Sequence, residues 1–107
     1  MTEADIRTLW TRYMHRNDIA SDLDAVLSFA KERVQERLLF TVVDPDEILA
    51  SSPRSIFHAG MTYLAELLQD DEQLMRETSL METAVQDYSF RRAIDKGPAL
   101  MGASNGT

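Results

Sequence analysis

The 107-residue chain contains no cysteine. Disulfides, thiolate nucleophiles and cysteine-based zinc sites are all excluded, and nothing in the sequence requires an oxidising compartment. Positive charge is scarce, with 11 Lys and Arg against 18 Asp and Glu, for a formal net charge of −7. Nonspecific adhesion to phosphate backbones needs clustered cations, and the best local group, Arg91, Arg92 and Lys96, is small. Long apolar runs are missing too: none approaches the roughly 18–20 residues that span a bilayer. The N-terminal stretch MTEADIRTLW is acidic where a secretion signal would be basic, so the chain is expected in a cytoplasm and without a membrane partner. A β-like segment is nearly absent as well. Phe40-Thr41-Val42-Val43 is the only one, too short and isolated to build a sheet, and it is expected as an extended link over the core.

What is present is the composition of a soluble globular domain, 44% apolar and 27% charged. At this length about 60–70% of the unfolded surface can be buried, enough for one core without staples. The pattern predicts an all-α fold. Four main helices and a short connecting helix form a domain over residues 1–96, followed by a flexible C-terminal arm, 97–107.

Thr2 with Glu3 and Asp5 starts a first helix that runs to about Arg12 or Met14, with Ile6, Leu9, Trp10 and Tyr13 on one face. Ser21 and Asp24 form a capping-box-like pair opening a second helix to about Leu38. Its apolar stripe is Leu23, Leu27, Ala30, Val34 and Leu38, and its second half is strongly charged. Asp44-Pro45-Asp46-Glu47 is a helix start by capping carboxylate, proline and acidic first turn. Ser51-Ser52-Pro53 repeats that signal almost at once.

The helix that follows, about Pro53 to Gln69, has no charged residue between Arg54 and Glu66. Ile56, Gly60, Tyr63 and Leu67 form one stripe, and Phe57, Met61, Leu64 and Leu68 the adjacent one, so more than one neighbour must cover it. It is expected at the centre of the fold, with Ala59, Gly60 and Ala65 allowing close approach. Asp70-Asp71-Glu72 starts the last helix, about Asp71 to Ile94. Leu74, Thr78, Met81, Val85 and Tyr88 make its seam, broadened by Met75, Leu80 and Ala84. Gly97-Pro98 is the expected stop. The expected core residues are Trp10, Leu27, Ile56, Tyr63, Leu64, Leu67, Met81, Val85 and Tyr88.

Chemistry-bearing motifs are few. His15 sits in a polar connection and reads as exposed; His58, on the central helix, reads as hydrogen-bonded or partly exposed. Asp22/Asp24 and Asp44/Asp46 have spacings that a Mg²⁺ site could use, but each lies at a helix start, where carboxylates are favoured without a metal. No catalytic residue, metal site or cofactor is assigned, and an enzyme is not expected. The residues alone point to an interaction or assembly protein.

Two segments resemble the head-to-tail connector (adaptor) proteins of tailed bacteriophages. Asn17-Asp18-Ile19 leading into VLSFAKERVQERL, Val26 to Leu38, is similar to their N-terminal helical signature. Ser52-Pro53, Tyr63-Leu64-Ala65-Glu66-Leu67-Leu68, Asp70-Asp71-Glu72-Gln73-Leu74 and a long final helix follow the order of their C-terminal helical pair. Only Leu39 to Ser51 separates the two halves here, where many such adaptors carry a longer, strand-containing segment.

The resemblance implies a ring of twelve copies beneath the portal protein, in the virion neck, extending the channel through which genomic DNA passes and giving a tail or neck protein its platform. It implies portal docking by the C-terminal region: Arg91, Arg92, Lys96, Leu100 and Met101. The charges of the second helix, Lys31, Glu32, Arg33, Glu36 and Arg37, are then candidates for contacts between copies, against the alternative of a solvated face. A small acidic helical regulator that binds another protein fits the same residues. A helix-turn-helix DNA-binding protein is a more distant fit.

Overall fold

Helix α4, Pro53–Leu68, is surrounded by the rest of the chain. The computed structural model describes residues 1–38 and 43–105, with side chains described through residue 94. Around α4 lie α1 (Glu3–Arg16), α2 (Leu23–Arg37), α3 (Pro45–Ser51) and α5 (Asp71–Asn105), and no strand occurs among the described residues. The expected all-α plan of four main helices and a short connector is the observed one.

Centrality follows from the uncharged sequence of α4. It buries Ser55, Ile56, Ala59, Gly60, Met61, Thr62, Leu64 and Ala65, an arc too wide for a single partner. Helices α5 and α2 are its main neighbours, with α1 and α3 packed against it less extensively. Gly60 admits α1: a Cβ at this position would fall on the indole ring of Trp10, which is fully buried and whose Nε1–H donates to the Phe57 carbonyl at 3.1 Å. Ile6, Val26, Ala30, Val34, Ile48, Ile56, Leu64 and Met81 complete a continuous core.

The boundaries are set by local chemistry. Thr2 and Asp5 form a reciprocal capping box, Oγ1 accepting from Asp5 N–H and the Asp5 carboxylate accepting from Thr2 N–H. At α2 the cap is Asp22 rather than Ser21. Asp44 caps α3, with Pro45 in its first turn. Ser52 precedes α4 without a side-chain cap, its hydroxyl lying 2.6 Å from that of Ser55. Helix α4 ends on Gln69 in the left-handed region, φ 56°, and Asp70 N–H donates back to the Ala65 carbonyl at 3.0 Å. Asp70 then caps α5 by accepting from Gln73 N–H.

Three expectations need correction. Leu67, expected in the core, is 50% exposed, because it lies in the last turn of α4 among the exposed residues Glu66, Gln69, Asp70 and Asp71 at the hairpin tip. Met75 and Leu80 do not broaden the seam of α5; they are exposed, since they lie off the line of Met81, Val85 and Tyr88 that faces α4. The backbone helix of α5 also continues through Gly97-Pro98 to Asn105. The expected stop required a left-handed glycine, and no described glycine has positive φ; proline keeps a helical φ, although it withdraws one N–H and crowds the carbonyl four residues back. Of the link 40–43, only Val43 lies among the described residues. It is buried, and its N–H donates to Gln35 Oε1 at 3.2 Å.

Candidate interaction surfaces

The charged half of α2 is largely engaged within the chain. Arg33 grips Glu66 at 2.8 and 3.4 Å, donates to Thr62 Oγ1 at 2.8 Å and lies over the Phe29 ring, 4.6 Å from its centroid. Phe29 in turn packs on Tyr63, with ring centroids 4.5 Å apart. Lys31 pairs with Asp46 at 3.2 Å and Arg37 with Glu82 at 3.7 Å. These contacts tie α2 to α3, α4 and α5. Glu32 and Glu36 are exposed.

The Asp pairs serve as caps and ion-pair partners. Asp22 and Asp44 each accept a backbone N–H two residues on, while Asp24 binds Arg7 at 2.7 Å and Asp46 binds Lys31. No group of three or more metal-ligating side chains occurs among the described residues. No described helix is long and apolar enough to cross a membrane.

Between α4 and α5 lies a polar network that sequence reading missed. Glu77 is buried, its Oε2 is 2.6 Å from His58 Nδ1, and its Oε1 accepts from Gln73 Nε2 at 3.0 Å. A carboxylate four residues before Met81 falls on the core side of α5. A buried carboxylate demands donors, so the pairing with the single histidine of the facing helix could have been anticipated. His15 is exposed, as expected.

His58 borders an open cleft of about 620 Å³ at the α3–α4 junction, lined on the α4 side by Pro53 and Arg54 and on the α5 side by Leu80, Thr83, Ala84, Asp87 and Arg91. Arg91 pairs with Asp87 at 3.0 Å, whereas Arg54 makes no ion pair among the described residues. Past the cleft, α5 carries exposed Phe90 and Ile94. Leu80, Thr83, Asp87, Phe90 and Ile94 recur at three- and four-residue steps, a second seam beside the one that packs on α4.

Of the docking candidates, Arg91 is on this outer face. Arg92 turns inward, its Nε 3.5 Å from Glu47 Oε1 in an ion pair, and that buried Nε has no hydrogen-bond partner among the described residues. Tyr88 Oη reaches the same Glu47 oxygen at 3.5 Å. Burial, followed by the charge of Glu47, pushes the Tyr88 hydroxyl above its ordinary value of 10.0. The side chains of Lys96, Leu100 and Met101 lie outside the described residues.

Compared with protein-family models, curated proteins and solved structures, the chain matches none of them.

Proposed function

We propose that this chain is a structural protein of a tailed bacteriophage: a head-to-tail connector that assembles as a twelve-membered ring beneath the portal, in the virion neck. The ring extends the DNA channel and gives a tail or neck protein its platform. Its role is assembly rather than catalysis, and it needs no cofactor. The observation that carries the reading is the second seam of α5. Leu80, Phe90 and Ile94 are exposed on a helix whose opposite face packs on the core, Phe90 and Ile94 one turn apart and Leu80 beyond Thr83 and Asp87, and exposed large apolar side chains grouped on one face favour contact with other chains.

The α4–α5 hairpin supplies the rigid body. Its outer seam is the surface assigned to other chains in this reading, and the C-terminal region is assigned to the portal. An acidic wall would leave DNA free to slide, consistent with the charge of −7.

The test is the mass of the purified protein, by light scattering after size-exclusion chromatography, with and without a portal ring from a tailed phage carrying this chain. Portal-dependent binding that is lost on deletion of residues 97–107 is the expected result. A chain indifferent to that portal would overturn the reading and favour the acidic regulator.

A further inference from the structure

The outward strip of α5 carries a charge order that matches itself when reversed. Glu72, Arg76, Leu80, Thr83, Asp87 and Arg91 follow one another at steps of four, four, three, four and four, and all are exposed. Such steps keep them on one side of the helix, away from the Met81, Val85 and Tyr88 line. Read towards the C-terminus, the strip is negative, positive, apolar, polar, negative, positive. Read backwards, each charge stands where its opposite stood, because the steps are symmetric about the midpoint between Leu80 and Thr83. Within one copy these charges are held only by neighbours on α5 itself among the described residues. Arg76 lies 3.9 Å from Glu72 and 3.3 Å from Gln73 Oε1, and Arg91 lies 3.0 Å from Asp87. Both ion pairs join side chains that are more than half exposed, so they are weak and leave part of each charged group to water.

We propose that two copies of this chain pair two-fold, with their α5 helices antiparallel along this strip. Arg76 of each copy then meets Asp87 of the other, Glu72 meets Arg91, and Leu80 meets Thr83, so that four charges of alternating sign gather at each end of the contact. Phe90 falls beside Arg76 of the other copy, a match of ring and guanidinium that the chain already uses between Phe29 and Arg33. The signs choose this arrangement. Parallel helices in register would oppose Arg76 to Arg76 and Asp87 to Asp87. An antiparallel pair slid by one heptad sets Leu80 on Phe90, but it puts Arg76 against Ile94 and leaves no charge of the strip facing an opposite one. From Glu72 to Arg91 the strip runs about 28 Å and is one helix wide, roughly 300 Å² on each copy. That is well below the area of a standard interface, so the pairing is weak and reversible. The proposal goes beyond the connector reading and does not rest on it, since it concerns the free chain with no portal present.

The test uses the full chain and two variants, Arg76→Glu and Asp87→Arg, weighed by light scattering over a concentration series reaching about 1 mM, the range a weak contact requires. Far-UV circular dichroism checks that both keep the helical content of the parent. The parent's mass should rise from 12.2 kDa towards twice that value and stop there, because a two-fold contact is closed. Each variant alone should associate at least about tenfold more weakly, since like charges then face each other twice in every pair. An equimolar mixture should recover the parent's association: the new carboxylate of the first variant faces the new guanidinium of the second, and its native Asp87 faces the native Arg76. The chain has no cysteine, so register is read directly by mixing Leu80→Cys with Thr83→Cys under oxidation. These two should cross-link mainly to each other rather than each to its own kind.

A parent that stays single throughout the series, a mass that grows past two copies, variants that match the parent, a mixture that stays single, or cross-links mainly between like variants would each overturn the proposal. A parent that pairs in this way and ignores portals keeps the proposal and removes the connector reading. One that binds a portal but stays single without it does the reverse.

Discussion

Gly60→Ala sets two effects against each other, and the structure decides between them. In the interior of an exposed helix the change stabilises by about 1 kcal/mol, through reduced freedom of the unfolded chain. Here the new Cβ falls on the Trp10 indole. That ring is not a flexible tip able to swing aside. It is fully buried and held by its hydrogen bond to the Phe57 carbonyl at 3.1 Å. Accommodating a methyl group in such a core costs about 1–3 kcal/mol, and displacing the indole forfeits a hydrogen bond worth about 1 kcal/mol. The net is a destabilisation of about 1–3 kcal/mol, corresponding to a fall in melting temperature of roughly 5–20 °C for a domain of this size. Thermal and urea unfolding followed by circular dichroism give the stability. Trp10 is the only tryptophan, so its fluorescence independently reports whether the ring has moved toward water. A variant as stable as the parent, with unchanged emission, would refute the claim that Gly60 is present to seat Trp10.

Gln69→Gly should raise the urea midpoint by the equivalent of about 0.5–1 kcal/mol, because the position holds φ 56° and glycine enters that region without a Cβ penalty; a loss of stability would show that the Gln69 side chain contributes more than its backbone costs. Glu77→Ala should cost about 2–4 kcal/mol in the same assay, since it leaves His58 Nδ1 and Gln73 Nε2 without their acceptor in a largely buried site, whereas Glu77→Gln should cost much less; equal effects would assign the loss to packing alone. Burial, then the charges of Asp70 and Glu77, raise the Tyr13 hydroxyl above the ordinary value of 10.0. Its folded pKa therefore lies above the unfolded one, so its contribution is fully present below pH 10 and declines as pH rises through the folded value; melting temperatures across that window should fall less steeply in Tyr13→Phe, and identical slopes would refute the assignment.

The sequence was most legible where one local rule acted alone. Thr2 with Asp5, Asp44 with Pro45, and Asp70 all start helices as capping chemistry requires. The uncharged run of α4 was enough to place that helix at the centre, and the repeat of Met81, Val85 and Tyr88 located the face of α5 that packs on it. What remained hidden depended on two elements at once. Arg33 reads as a surface charge until α4 sets Thr62 and Glu66 within its reach. Glu77 reads as solvated until His58 and Gln73 satisfy it. Leu67 continues an apolar stripe in sequence, but the stripe outlasts the helices that cover it. Periodicity records which residues share a face; it does not record where the facing element ends.

That distinction bears directly on what α5 is for. Its inner seam ends with partners in place: Tyr88 and Arg92 both reach Glu47 on α3. On the outer face, Leu80, Phe90 and Ile94 are exposed, with Thr83 and Asp87 at the intervening positions of the three- and four-residue repeat. A monomer gains nothing from an apolar residue such as Phe90 facing water. On the connector reading proposed above, this is the face of α5 that would meet another chain. Because the attraction such a face offers is apolar, Phe90→Ser should weaken the portal-dependent association proposed for this chain at every salt concentration, as read by light scattering; binding unchanged in Phe90→Ser would refute a role for this face of α5.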